Sequence, residues 1–114
     1  MNPDESVVLI LWHATPFRAD KFEDHWRPVA EGALEYGATS WAFLRSKDDP
    51  SDFIQLASWR SKLDFDRYWY SEEVAEKRAE GVGMYHVPIT PQWLRVVDEG
   101  ELVEQAVEIG KEAQ

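Results

Sequence analysis

Apolar positions follow two different periods along this chain, and the switches between them mark the elements. Ser6 to Ala14 (SVVLILWHA) is apolar without alternation. Successive side chains of a strand point to opposite faces, so Val7, Leu9 and Leu11 share one face and Val8, Ile10 and Trp12 the other. Both faces are therefore expected to be buried. Thr15-Pro16-Phe17 reads as a turn. From Asp20 to Tyr36 the period becomes helical, with Phe22, Trp26, Val29, Ala30 and Ala33 on one stripe. Pro28 has no N–H to donate, which predicts a kink or two short helices. Gly37 closes the element.

Thr39 to Arg45 is the second expected strand, and Lys47 to Ser51 is turn chemistry. Phe53 to Trp59 then pairs back as a hairpin, with Leu56, Trp59, Phe65 and Trp69 expected in the core. Ser61 is a helix N-cap with Asp64 three residues on, and Phe65, Tyr68 and Trp69 recur at helical spacing. Ser71 before Glu72 and Glu73 starts a shorter helix to about Glu80, ended by Gly81 and Gly83. Val87 to Val97 is the last strand region, and Pro88 and Pro91 confine its pairing to the later part or to an edge. Glu101 to Ile109 reads as a short amphipathic tail helix carrying Leu102, Ala106 and Ile109. There is no internal repeat or linker, so residues 1–114 read as one domain, with a core over about 6–97 and a tail over 98–114.

The order is β-α-β-β-α-β plus a tail, an α+β ferredoxin-like sandwich. Both crossover helices of that topology cover one sheet face, yet the first strand is apolar on both. The expected solution is a homodimer, sheet against sheet, forming a dimeric α/β barrel. The alternative is a monomer whose tail folds over the sheet. Six Trp and five Phe in 114 residues point to a core or pocket built from rings. A formal net charge of −10 argues against nucleic acid and anionic membranes as partners. The chain has no Cys, which excludes disulfides, thiolate metal sites and a cysteine nucleophile. No apolar run approaches the ~20 residues of a membrane span. Met1 to Val7 is polar and acidic, unlike a signal peptide, so a cytoplasmic protein is expected.

The element order, together with Trp59-Arg60-Ser61-Lys62, Phe65 and Tyr68-Trp69, resembles the dimeric α/β-barrel superfamily and, within it, the antibiotic biosynthesis monooxygenase family. The resemblance spans Val7 to Val97. Its W-x-S-x-x-x-F segment (Trp59, Ser61, Phe65) is architectural: a strand end, a helix cap and a core ring. It implies a fold shared by cofactor-independent oxygenases of polycyclic aromatics, haem degraders, cyclases, dehydratases and proteins without known chemistry. It also implies a pocket within each subunit, between sheet and helices. The haem degraders use a strand-one Asn, an aromatic residue on the second helix and a later His. Those places fall at Ile10, Tyr68 or Trp69, and Arg78. Two polar roles are missing, so no cofactor is expected, haem included.

His13, at the end of the first strand, could serve as a general base or be a hydrogen-bonded residue at the strand end or dimer seam. His86, beside Tyr85, could line a pocket mouth or simply sit in a loop; His25 reads as a solvated residue on the first helix. The three are scattered and lack i, i+4 spacing, so no metal centre is expected. Trp12, Trp41, Trp59, Trp69 and Trp93 could line a cavity or fill the core. The resemblance favours Tyr68 and Trp69 for a pocket, because the second helix borders the family cavity. Tyr68 has a proton to donate to a substrate oxygen. Arg78 could pair with a substrate carboxylate or enolate, or with Glu72, Glu73 or Glu76. The candidate catalytic residues are thus His13, Tyr68 and His86, and the candidate substrate-binding residues Trp12, Trp41, Trp69 and Arg78.

Two function classes follow. One is a monooxygenase-like enzyme acting without a cofactor on a small aromatic or polyketide-like molecule. The other is a non-catalytic small-molecule-binding or dimerisation module of the same fold. A pocket above ~300 Å³ beside Tyr68 and Trp69 would favour the first, and a filled interior the second.

Overall fold

The computed structural model describes residues 4–103. Four strands, β1 (Ser6–His13), β2 (Ala38–Arg45), β3 (Asp52–Trp59) and β4 (Gln92–Arg95), form one sheet in the order β2-β3-β1-β4. Every neighbouring pair is antiparallel. Helix α1 (Ala19–Glu31) connects β1 to β2, while α2 (Lys62–Trp69) and α3 (Glu72–Glu80) connect β3 to β4. This is the expected α+β ferredoxin-like order, with the second helix in two pieces. Among the described residues no helix is long and apolar enough to cross a membrane.

The helix starts follow local chemistry. Asp64 N donates to Ser61 Oγ at 3.2 Å, and Val74 N donates to Ser71 Oγ at 3.2 Å. Both bonds satisfy amides that a helix start leaves unpaired. Pro28 does not break α1. The helix runs on to Glu31 and tightens into a 3-10 turn over Gly32–Tyr36. Pro28 is exposed, so solvent can take up the carbonyl its missing N–H leaves free. Gly37 ends the turn at φ 103°, a left-handed conformation that glycine adopts without cost.

Both α1 and α2 pack on the same sheet face. Trp12 of β1 meets Trp26 of α1 with ring centroids 4.6 Å apart and Trp69 of α2 at 6.2 Å. Val8, Ile10, Phe53, Ala57 and Trp59 are buried beside them. Trp59 meets Phe65 edge to face at 5.6 Å.

The opposite face is different. Leu11 is 53% exposed where its neighbour Trp12 is 1% exposed. Leu56, expected in the core, pairs with Leu9 and Ala42 on this outer face and is only half-buried. The last strand pairs only over Gln92–Arg95, after both prolines. Glu101 to Val103 are not helical, and the remainder of the expected tail helix to Ile109 lies outside the described residues.

Candidate functional site

The space beside Tyr68 is filled by a buried polar network centred on Gln55. Gln55 follows Phe53 on the inward parity of β3, so its amide enters the ring cluster. Its Oε1 accepts from Trp12 Nε1 at 3.1 Å and from Trp26 Nε1 at 2.8 Å. Its Nε2 donates to Tyr68 Oη at 3.0 Å, and Tyr68 donates onward to Val29 O at 2.7 Å. Burial pushes the Tyr68 phenol above its ordinary range, so it stays protonated. The phenolic proton is thus held inside the protein rather than offered to a ligand. The gap remaining beside Tyr68 is about 60 Å³, far below the ~300 Å³ of an ordinary ligand pocket.

A cleft of about 290 Å³ opens on the other side of α2, lined by Trp69, Arg78, Val82, Tyr85, Val87 and Ile89 with Ala79. Arg78 comes from the last turn of α3, and its guanidinium carbon lies 4.1 Å from the Trp69 ring centroid. That contact is a cation–π stack. Tyr85 Oη donates to Arg78 O at 2.8 Å and ties the end of α3 to the returning chain. Arg78 has no carboxylate within ion-pair distance among the described residues, so the expected pairing with Glu72, Glu73 or Glu76 does not form. Burial lowers its pKa, the direction for a cation held away from water without a counter-ion. A guanidinium nonetheless stays charged at any ordinary pH.

The remaining candidates lie elsewhere. Trp12 is core, ringed by Phe22, Trp26, Trp69 and Tyr85. Trp41 is half-buried beside a third cleft, of about 270 Å³, with Glu23, Arg27, Phe43 and Arg45. Both its arginines are already matched: Arg45 pairs with Asp20 at 2.9 Å and Glu23 at 3.2 Å, and Arg27 with Glu23 at 2.8 Å. His25 is half-buried rather than solvated, with Nε2 donating to Lys77 O at 2.7 Å.

His13 and His86 stand beside each other at the end of β1, their rings stacked at 5.0 Å. His13 is bonded through Nδ1 to the Asp52 carboxylate opposite it. His13 and Asp52, with Leu11, Leu44 and Ile54, line a groove of about 550 Å³ on the outer sheet face. The predicted residues therefore divide into four places: Trp69 and Arg78 in one cleft, Trp41 beside another, Tyr68 and Trp12 in the core, and the two histidines across the sheet. Sequence reasoning missed Gln55, Asp52 and Tyr85. For Gln55 the signal was present, as a lone amide on a strand otherwise rich in rings.

No family model matches the sequence, and no curated protein matches it. Solved structures do match. A candidate antibiotic biosynthesis monooxygenase from Nitrosomonas europaea aligns at TM-score 0.75 and 14% identity, covering 85% of this chain and 94% of that one. SnoaB, a cofactor-independent oxygenase from Streptomyces nogalater, aligns at TM-score 0.71 and 13% identity over 84% of this chain and 96% of its own. A candidate antibiotic biosynthesis monooxygenase from Deinococcus radiodurans aligns at TM-score 0.72 and 8% identity, over 86% and 98%. At such identities the likeness is one of fold. This chain has the antibiotic biosynthesis monooxygenase fold, as the residues around Trp59 implied.

Proposed function

We propose that this protein binds a small, flat, largely apolar molecule carrying one acidic group, in the cleft between Trp69 and Arg78. The observation that carries this reading is the Arg78 guanidinium stacked on Trp69 without a carboxylate partner among the described residues, in a cleft otherwise walled by largely apolar side chains. Such a cation attracts a carboxylate, phenolate or enolate, while the ring and Val87 and Ile89 receive an aromatic or polyketide-like body. The whole-chain charge of −10 opposes anions at long range, so the local guanidinium must supply the attraction, helped by salt screening.

A second reading is cofactor-independent monooxygenation of that same molecule, favoured by the fold shared with SnoaB. Arg78 would hold the phenol or enol as its anion, the form that reacts with dioxygen. Among the described residues no carboxylate or imidazole lines the cleft, so a substrate that needs a base side chain is not served by them; this is why binding is placed first. The protein is proposed to act as a homodimer in the cytoplasm, as a single domain, and without haem. The family resemblance puts Ile10 and Arg78 near the places where the haem-degrading pattern has polar residues.

The test is a titration of polycyclic phenols, aromatic carboxylates, their neutral methyl ethers and esters, and haem, followed by tryptophan fluorescence. Acidic ligands should bind, and Arg78→Gln should weaken them about tenfold, the ~1.4 kcal/mol of one charge-assisted bond, while leaving neutral analogues unchanged. Oxygen uptake with a bound ligand would favour the second reading. Tight haem binding with none for the acids would overturn both.

A further inference from the structure

The chain fold assembles a group of metal-ligating side chains that no sequence spacing announces. β1 ends at His13, and the segment after α3 returns beside it. His86 N donates to His13 O at 2.9 Å, Thr15 N donates to Met84 O at 3.0 Å, and Ala14 bridges Tyr85. This register sets the His13 and His86 imidazoles side by side, 5.0 Å apart and inclined by 25°. Across the sheet, the β1–β3 register puts Asp52 opposite His13. The β2–β3 turn brings in Asp49, whose O accepts from Asp52 N at 2.9 Å and whose Oδ1 accepts from Ser51 N at 3.1 Å. That turn is braced twice more: Asp49 N donates to Ser46 Oγ at 3.0 Å and Arg45 Nε donates to Pro50 O at 2.6 Å. One ligand atom from each of His13, Asp49 and Asp52 lies within 4.8 Å of the others.

We propose that His13, Asp49 and Asp52 form a site for a divalent transition-metal ion of the zinc, cobalt or nickel class, which His86, stacked on His13 but outside that 4.8 Å group, completes as fourth donor by turning about its side chain. The donor set chooses the ion. Calcium and magnesium take oxygen ligands, whereas imidazole nitrogens paired with carboxylates suit zinc and its neighbours. Two carboxylates match the charge of a divalent cation, and the chain's overall −10 adds long-range attraction. Ligands of a tetrahedral zinc at ~2.0–2.2 Å stand roughly 3.3–3.5 Å from one another. His13 and Asp52, now in direct contact, must therefore part slightly to admit the ion. Their side chains are 53% and 50% exposed, so a small turn about each side chain suffices. The backbone of all four residues is already fixed by strand and turn hydrogen bonds, so little ordering remains when the ion binds.

The experiment is calorimetric titration of zinc, nickel and magnesium into the full untagged chain near neutral pH. One zinc per chain at micromolar affinity is expected, with no comparable heat from magnesium. His13→Ala and Asp52→Asn should each weaken zinc at least tenfold, His86→Ala should weaken it measurably, and Asp48→Asn, a neighbouring acid outside the group, should change nothing. All four positions are at the surface, and far-UV circular dichroism would establish that each variant is folded. Absence of zinc binding, magnesium binding of equal strength, or zinc binding unaffected by His13→Ala would overturn the proposal.

Discussion

Tyr68 and Trp69 are adjacent in sequence and belong to different parts of the protein. One ring position of rotation along α2 sends Tyr68 into the Gln55 network and lets Trp69 form the wall of the Arg78 cleft. Helical spacing in the sequence showed that both are inward-leaning, but their hydrogen-bond partners come from β3 and α1, far away in the chain. Tyr68→Phe is therefore a stability variant. It leaves the Gln55 N–H and Val29 carbonyl without their partner in a closed interior, at ~1–3 kcal/mol each. The expected loss is roughly 2–4 kcal/mol in urea unfolding, with ligand binding at Arg78 retained in the folded fraction. The same burial has a pH signature. An unfolded tyrosine ionises near ~10, and burial raises the folded pKa of both Tyr68 and Tyr85. A raised pKa means stability is complete below ~10 and is lost as pH rises beyond it. Urea midpoints measured between pH ~8 and ~11 should fall for the native chain and fall less for Tyr68→Phe. Equal slopes would mean that the phenol is not buried.

Elements whose signals are local were legible. Ser61 and Ser71 cap α2 and α3 through bonds to residues three positions on, and the two prolines delay β4 until Gln92. Elements decided by solvent or by register were not. Phe53 to Trp59 carries apolar residues on both parities and a glutamine on the buried one, so Leu56 could not be assigned to its face until the pairing with Leu9 was known. Pro28 predicts a kink or two short helices, yet α1 runs through it to Glu31 with the proline on its exposed side. This makes Pro28→Ala informative. Alanine restores the bond to the Asp24 carbonyl and removes an interior proline penalty of ~3 kcal/mol. It also frees the unfolded chain, at a cost of ~0.4–1 kcal/mol. The helix gain is the larger, so thermal unfolding should shift upward, corresponding to roughly 2–2.5 kcal/mol. A lower melting temperature would show that α1 is built around the proline.

At the scale of the whole molecule, among the described residues the helices cover one face of the sheet only. Val7, Leu9, Leu11, Ala42, Leu44, Ile54, Leu56 and Leu94 share the other through the strand registers, and Leu11, Leu44 and Leu94 are 53%, 48% and 40% exposed. A continuous apolar face of this kind marks an association surface, and the proposed partner is a second copy, face to face about a two-fold axis. Two chains of −10 repel each other, so apolar contact must supply the association and salt should strengthen it by screening. Leu11→Glu places a carboxylate in each half of that contact. Burying a charge without a partner costs several kcal/mol, and each ~1.4 kcal/mol is tenfold in Kd, so dissociation by at least a hundredfold is expected. Analytical ultracentrifugation at micromolar concentration reads this directly: the native chain should sediment as a dimer and Leu11→Glu as a folded monomer. A native monomer would end the pairing proposal. The Leu11→Glu monomer should still bind the ligand of the Trp69–Arg78 cleft, because none of the cleft's lining residues belongs to the sheet. Loss of that binding together with the dimer would instead mean that the second copy completes the site.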